Sequence, residues 1–126
     1  MFSISILFTI IFIIFYLVLT IFTIKIRKSS GIAYGDGNNN KLIRAIRAHG
    51  NFFEFTVFFI ISSFLLEALD ADNIYLLIVN ILFVLGRVSH AYSMFKEKIK
   101  FRFTGMMTTL LIYILNSAYL LYLYFR

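Results

Sequence analysis

The feature that most constrains this chain is its beginning, where no charged residue occurs before Lys25. Residues 1–24 therefore form one uninterrupted apolar run, and about 20 such residues suffice for a helix to cross the hydrocarbon core of a bilayer. A cleavable signal peptide would carry a basic start and a small-residue cleavage site, and the opening "MFSISILFTIIF" has neither. We therefore interpret the run as a retained membrane span.

Three further apolar stretches follow, each long enough to cross a membrane. The composition agrees, because 61% of the residues are hydrophobic and 14% charged, whereas soluble domains are about half apolar and a quarter charged. Helices satisfy their own backbone hydrogen bonds in lipid. We expect an all-α, antiparallel four-helix transmembrane bundle that forms one domain over residues 1–126. The predicted spans are about 2–24, 40–66, 73–94 and 103–125.

The three breaks between these spans differ in charge. The first, "KIRKSSGIAYGDGNNNK", and the third, "FKEKIKFRF", are basic, whereas the second, "EALDADN", is acidic. The positive-inside rule then places loops 25–40 and 95–102 in the cytoplasm and both termini on the opposite side. The net charge of +6 is explained by this topology and by attraction to anionic membrane lipid, so no nucleic-acid partner is expected.

The third break alternates between basic and apolar residues, as an exposed β-strand would. A single open strand beside the bilayer would leave its edges unpaired. We therefore predict an interfacial loop whose lysines reach the headgroups. The chain has no cysteine, so neither a disulfide nor a thiolate metal site is expected, and no metal site is predicted.

The second span opens with "RAIRAHGNFFEF", which carries unusually many polar residues for a membrane helix. At about 100° per residue, Arg44, Arg47, Asn51 and Glu54 fall within an arc of roughly 80°, whereas His49 points elsewhere. Glu54 lies about 10 Å deeper along the helix axis than Arg47. An unpaired carboxylate at that depth costs at least a few kcal/mol, so we expect Glu54 to pair with a cation or to be protonated.

The predicted topology brings more cations to the same membrane depth. Lys25 and Arg27 end the first span, Arg87 and His90 lie near the end of the third, and Arg102 precedes the fourth. With one deep carboxylate among several arginines, the site suits a small ligand that carries both carboxylates and an amine. Two alternatives stay open: topology alone explains basic helix ends, and polar residues in membrane helices also serve packing.

Four motifs add a family resemblance. "IRAHGNFFEF" resembles the helix-two signature of the MAPEG superfamily, the membrane-associated proteins of eicosanoid and glutathione metabolism, and "GRVSHAYSMF" resembles its helix-three signature. "RFTGMMTTLL" is similar to the opening of helix four, and "YGDGNNN" to the small bacterial branch. The resemblance implies a bacterial inner-membrane homotrimer that holds glutathione between neighbouring subunits.

The resemblance also implies roles for individual residues. Allowing one residue of loop slippage, Arg102 matches the catalytic arginine that stabilises the glutathione thiolate. Lys25 or Arg27 matches a position that reaches in from the adjacent subunit. With Arg44 added from the helical stripe, the predicted glutathione-binding residues are Arg44, Arg47, Asn51, Glu54, Arg87, His90, Lys25 and Arg27.

Three positions depart from the catalytic members. Phe55 and Met94 stand where several members have tyrosine, and the hydroxyl beside the catalytic arginine is present only as Thr104, two residues on. The first hypothesis is a glutathione-dependent membrane transferase or peroxidase that acts on lipophilic molecules arriving from the bilayer. The second is a non-catalytic binding or scaffold protein with the same fold. The third, a small cation-excluding channel or transporter, rests only on buried polar residues.

Overall fold

The computed structural model describes residues 3–126, and this part of the chain contains four helices and no strand. The helices are α1 (Ser3–Ser30), α2 (Asn40–Ala68), α3 (Asn73–Lys96) and α4 (Ile99–Phe125). Each is long and apolar enough to cross a membrane, which confirms the predicted all-α four-helix fold. The predicted start of the first span, at residue 2, lies outside the described residues.

Short connections make successive helices antiparallel, with α2 and α3 in the middle of the bundle. Helix α2 packs against all three other helices, whereas α1 and α4 do not contact each other within residues 3–126. The end of α1, the start of α2, the end of α3 and the start of α4 therefore lie together. We call this the basic end of the bundle, because the first and third breaks in the sequence lie there.

Two helix boundaries differ from the sequence prediction by more than two residues. Helix α1 continues to Ser30, six residues beyond the apolar run, and α4 already begins at Ile99. The predicted interfacial loop is therefore wrong for residues 99–102, which form the first turn of α4. Glu97 adopts a left-handed conformation with φ of 56° and donates its amide to Ser93 O, which closes α3 in a tight turn. Long basic side chains reach the headgroups from a helix as well as from a loop.

Side-chain caps determine where α2 and α3 begin. Asn39 Oδ1 accepts hydrogen bonds from the amides of Lys41 (3.0 Å) and Leu42 (3.1 Å). Asp72 Oδ1 accepts one from the amide of Tyr75 at 2.8 Å. Asparagine and aspartate are preferred at this position because their oxygens satisfy amides that have no partner within the helix. The capped start of α2 positions the polar stripe that follows it.

Stacked aromatic rings form the centre of the core. The rings of Phe59 and Phe83 stack with centroids 3.8 Å apart, which joins α2 to α3. The ring of Phe12 on α1 meets both rings edge-on, at 5.7 Å and 5.5 Å. Edge-on pairs of this kind are favourable beyond their buried area. Most other large apolar side chains remain exposed on the outside of the bundle, as expected for surfaces that face lipid.

Polar contacts fasten the opposite end of the bundle. The Glu67 carboxylate accepts hydrogen bonds from the amides of Ile4 (3.1 Å) and Ser5 (2.8 Å), and so caps the start of α1. The Ser5 and Ser63 hydroxyls are 3.2 Å apart, and Asn80 Nδ2 donates to Ser63 Oγ at 3.0 Å. The contact of Asn80 agrees with a packing role between membrane helices.

Two glycines allow α3 and α4 to approach closely near the basic end. A Cβ atom on Gly105 would lie 2.5 Å from Gly86 O and 2.9 Å from the amide nitrogen of His90. No residue with a side chain fits there without a backbone shift. Small residues at such contacts are typical of membrane helix pairs, whose association depends on close van der Waals packing. This contact determines how far His90 on α3 lies from the start of α4.

Candidate functional site

A polar cavity opens at the basic end between α2, α3 and the start of α4. Its volume is about 590 Å³, within the range of pockets that bind small molecules. We call it the α2–α3–α4 cavity. It brings together five of the residues predicted from the sequence, with Ile46, Gly50 and Met94 as further lining. Those five are Arg47, Asn51, Glu54, His90 and Arg102.

The charged groups of this cavity are not neutralised by one another. The only ion pair within residues 3–126 joins Arg44 and Glu97, and no hydrogen bond of that part involves the side chains of Arg47, Glu54 or Arg102. Of the two states expected for Glu54, paired with a cation or protonated, the described part of the chain does not show the first. The cavity presents two guanidinium groups and one carboxylate to whatever enters it.

Arg87 lies behind the cavity wall, with only 1% of its surface exposed. Its guanidinium donates to Asn51 Oδ1 at 3.0 Å, to Gly105 O at 3.1 Å and to Thr109 Oγ1. The structure thus places this predicted glutathione contact beneath Asn51 and not on the cavity surface. Because the Asn51 oxygen accepts from Arg87, its amide nitrogen is left to donate toward a ligand.

The charge of Arg87 has no carboxylate partner in the described part of the chain. The guanidinium carbon lies 5.2 Å from the ring centroid of Phe55 and 5.7 Å from that of Phe83, so aromatic faces and neutral oxygens surround it. Its Nε atom is buried without a hydrogen-bond partner. A positive charge held in this way, in a region of low dielectric constant, adds to the attraction of the neighbouring cavity for anions.

Arg44 departs from the predicted stripe. It pairs with Glu97 in the turn between α3 and α4, and it does not line the α2–α3–α4 cavity. Glu54 remains the deep carboxylate that the sequence predicted, whereas the carboxylate that pairs with Arg44 is the exposed Glu97. The reason is local: the left-handed conformation of Glu97 turns the chain back at the basic end, next to the first turns of α2.

The two predicted cations of α1 lie away from the cavity within one protomer. Lys25 is exposed, and Arg27 donates to Gly35 O at 2.7 Å in the loop between α1 and α2. His49 faces α1, as its position off the stripe predicted: its Nε2 lies 3.0 Å from the Thr20 hydroxyl, and its ring stacks on Tyr16 at 4.5 Å.

Helix α4 contributes residues behind the site that were not predicted from the sequence. Gly105 and Thr109 both accept hydrogen bonds from Arg87, and the Tyr113 hydroxyl donates to Phe55 O. Gly105, Thr109 and Asn116 recur at spacings of four and seven residues and are all buried. That period is the signal by which this face of α4 could have been found.

Four membrane-length helices with a charged cavity at one end define an α-helical integral membrane protein. The chain belongs to the MAPEG family, whose sequence model matches residues 5–122. It is also similar to the inner membrane protein YecN of Escherichia coli K12, with 31% identity over 86 residues that cover 68% of this chain. The same protein of Escherichia coli O6:H1 (strain CFT073) matches equally. The aligned part spans 66% of YecN, just under two thirds of its length. No solved structure matches the chain.

Proposed function

We propose that this protein binds glutathione in the α2–α3–α4 cavity and activates its thiol for attack on lipophilic electrophiles, as a membrane transferase or peroxidase. The observation that carries the proposal is the set of unpaired charges in the cavity: Arg47 and Arg102 with Glu54. Family membership supports a link to glutathione. The relatives named inner membrane protein support the same location for this chain.

The residues present fit the chemistry of glutathione, which has two carboxylates and one ammonium group. Arginine pairs with carboxylates in a bidentate manner, and Arg47 is available for that contact. The Glu54 carboxylate suits the ammonium group. The amide nitrogen of Asn51 is a further donor for a carboxylate, because its oxygen accepts from Arg87.

Arg102 is the proposed catalytic residue. Bound glutathione supplies a thiol, and a thiol with an ordinary pKa of about 8.5 needs a nearby cation to ionise near neutral pH. Arg102 lines the cavity without a protein partner, so its guanidinium is available to stabilise the thiolate. Arg87 beneath the wall adds a second positive charge at longer range. No protein nucleophile is required.

The proposed assembly is a homotrimer in which Lys25 or Arg27 of a neighbouring subunit completes the site. The Arg47 and Glu54 side chains are exposed in the isolated protomer, which leaves this edge of the cavity available for a second chain. The mass of the detergent-solubilised protein, measured by light scattering with correction for the micelle, tests the trimer.

We place the basic end in the cytoplasm, with both termini on the opposite side, because basic loops are retained there. The chain contains no cysteine, so a Lys98→Cys variant carries a single thiol in the exposed turn before α4. A membrane-impermeant thiol reagent should label it in inverted membrane vesicles and not in intact spheroplasts. Labelling in intact spheroplasts would show the opposite orientation, with the basic end outside the cytoplasm.

A second candidate is a non-catalytic binding protein that retains the cavity. It is favoured by Met94, which lines the cavity without a hydroxyl group. The nearby Tyr113 hydroxyl does not supply one, because it donates to the backbone oxygen of Phe55. Under this alternative, glutathione or a similar anion binds but no thiolate forms.

Ultraviolet absorbance of the thiolate, measured with glutathione and purified protein in detergent, separates the two candidates. The unsubstituted protein should show a thiolate signal that Arg102→Ala abolishes. Lys100→Ala, an exposed neighbour that does not line the cavity, is the matched control and should keep the signal. Thermal stabilisation by glutathione without a thiolate signal at any pH would support the non-catalytic protein. If glutathione gives neither thermal stabilisation nor a thiolate signal, both candidates are excluded.

A further inference from the structure

A second cavity lies on the other side of the bundle, between α1 and α3. This α1–α3 groove has a volume of about 620 Å³, and its walls are apolar side chains from residues 15–26 of α1 and 88–95 of α3. The α1 wall is about 16 Å long, at 1.5 Å of rise per residue. One leaflet contributes about half of the 30 Å hydrocarbon core. The groove therefore has the length of an acyl chain in a single leaflet.

Cations stand at one end of the groove only. Lys41 and Arg44 from the start of α2 and Lys96 from the end of α3 line it there, at the basic end where lipid headgroups would lie. Glu97 neutralises Arg44, whereas the ammonium groups of Lys41 and Lys96 have no hydrogen-bond or ion-pair partner in the described part of the chain. An apolar groove with two free cations at headgroup depth is complementary to an anionic amphiphile.

We propose that the α1–α3 groove is a specific binding site for one anionic phospholipid. One of the two acyl chains of the lipid lies between α1 and α3, and its phosphate lies against Lys41 and Lys96. The site does not rest on the proposed function, because Arg47, Glu54 and Arg102 do not line the groove. We take phosphatidylglycerol as this anionic phospholipid. It binds in the α1–α3 groove whether or not glutathione binds in the α2–α3–α4 cavity.

Tryptophan fluorescence provides a direct test, because the chain has no tryptophan of its own. A Phe22→Trp reporter stands in the groove wall. Quenching by phosphatidylglycerol with brominated acyl chains, diluted into phosphatidylcholine vesicles, measures the preference for the anionic lipid. Loss of one exposed ion pair with the phosphate costs up to about 1 kcal/mol, so Lys41→Gln and Lys96→Gln should each lower the preference up to about fivefold. Lys98→Gln and Lys100→Gln, exposed and outside the groove, should leave it unchanged.

Two more variants should act in predicted directions. Glu97→Gln frees Arg44 from its ion pair and should raise the preference for phosphatidylglycerol, which damage to the fold would not do. Val88→Phe narrows the groove, whereas Leu85→Phe changes another exposed position of α3 that lies outside it. Only Val88→Phe should weaken quenching, whether the brominated acyl chains belong to phosphatidylglycerol or to phosphatidylcholine. A Val18→Trp reporter repeats each measurement from a second position in the wall.

Two outcomes would overturn the proposal. Equal losses in the Lys41, Lys96, Lys98 and Lys100 variants would show general attraction to a charged surface and no site. An absence of quenching from both reporter positions with every brominated lipid would show that a second copy of the chain covers the groove.

Discussion

A single methyl group on Gly105 should disrupt the site from behind. The Cβ atom of Gly105→Ala would lie 2.5 Å from Gly86 O, and an ordinary carbon–oxygen contact needs about 3.3 Å. Helices α3 and α4 must therefore separate by about 0.8 Å. Overpacking of this kind costs about 1–3 kcal/mol, and the shift also weakens the hydrogen bond from Arg87 to Gly105 O, which costs about 1 kcal/mol more. Alanine returns about 1 kcal/mol through its higher helix propensity, which leaves a net loss of about 2 kcal/mol.

The same substitution at two other helical glycines provides matched controls. A Cβ atom on Gly86 would lie 3.3 Å from Gly105 O and 3.4 Å from Thr108 Cβ, so it meets a much milder contact. A Cβ atom on Gly50 would meet nothing within 4 Å. We therefore expect Gly50→Ala to gain up to about 1 kcal/mol, Gly86→Ala to remain near the unsubstituted protein, and Gly105→Ala to lose stability.

Loss of helical circular dichroism on heating in detergent measures this order. For a chain of this size, 1 kcal/mol corresponds to about 4 °C in the thermal midpoint. Gly105→Ala should therefore unfold about 8 °C below the unsubstituted protein, and Gly50→Ala up to about 4 °C above it. Equal midpoints for the Gly105 and Gly50 variants would refute the reasoning, because the close contact of α3 and α4 would then contribute nothing to stability.

Four further predictions concern single side chains. Glu67→Gln removes the charge that caps the first amides of α1 and should cost about 1 kcal/mol in the same thermal assay. Asn51→Asp should pair with Arg87 and raise the thermal midpoint, but should weaken glutathione binding in calorimetry at least tenfold, because a second carboxylate enters the cavity. Met94→Tyr adds a hydroxyl to the cavity wall and should raise glutathione affinity about fivefold. Phe55→Tyr should change affinity little, because the Phe55 ring packs on Arg87 and does not line the cavity.

Local periodicity predicted the α2 side of the site well. The helical repeat alone separated His49 from Arg47, Asn51 and Glu54, and the structure places these three in one cavity and His49 against α1. This worked because the residues share one straight helix, so their relative directions follow from spacing. The four membrane-length helices likewise followed from the length of the apolar runs.

Contacts between helices were less predictable. The partner of Arg44 depends on the left-handed turn at Glu97, and a charge pattern does not reveal a two-residue turn. The burial of Arg87 depends on the distance between α3 and α4, which Gly105 sets through a contact with Gly86. Sequence spacing predicted the level of Arg87 along the bundle, but it did not predict that Arg87 lies behind Asn51. The predicted start of α4, at about residue 103, was wrong. The helix begins at Ile99 because a helix can extend beyond its apolar run.

The charge balance at the cavity gives Arg87 a role distinct from ligand contact. Arg47, Arg102 and Glu54 leave a net charge of +1 on the cavity wall, which matches glutathione in its thiol form. Arg87 adds a second positive charge behind the wall without touching the cavity, and +2 matches the thiolate form. Under the proposed function, Arg87→Met should therefore change the glutathione affinity only a few-fold.

The same substitution should raise the pH midpoint for thiolate formation by about one pH unit, since a positive charge that favours ionisation is lost. Arg44→Met is the matched control, because Arg44 is already neutralised by Glu97 and lies outside the cavity. Thiolate absorbance followed against pH, beside calorimetry at low pH, measures both quantities. A large loss of affinity with an unchanged midpoint would show that Arg87 acts by orienting Asn51 and that its charge does not reach the thiol.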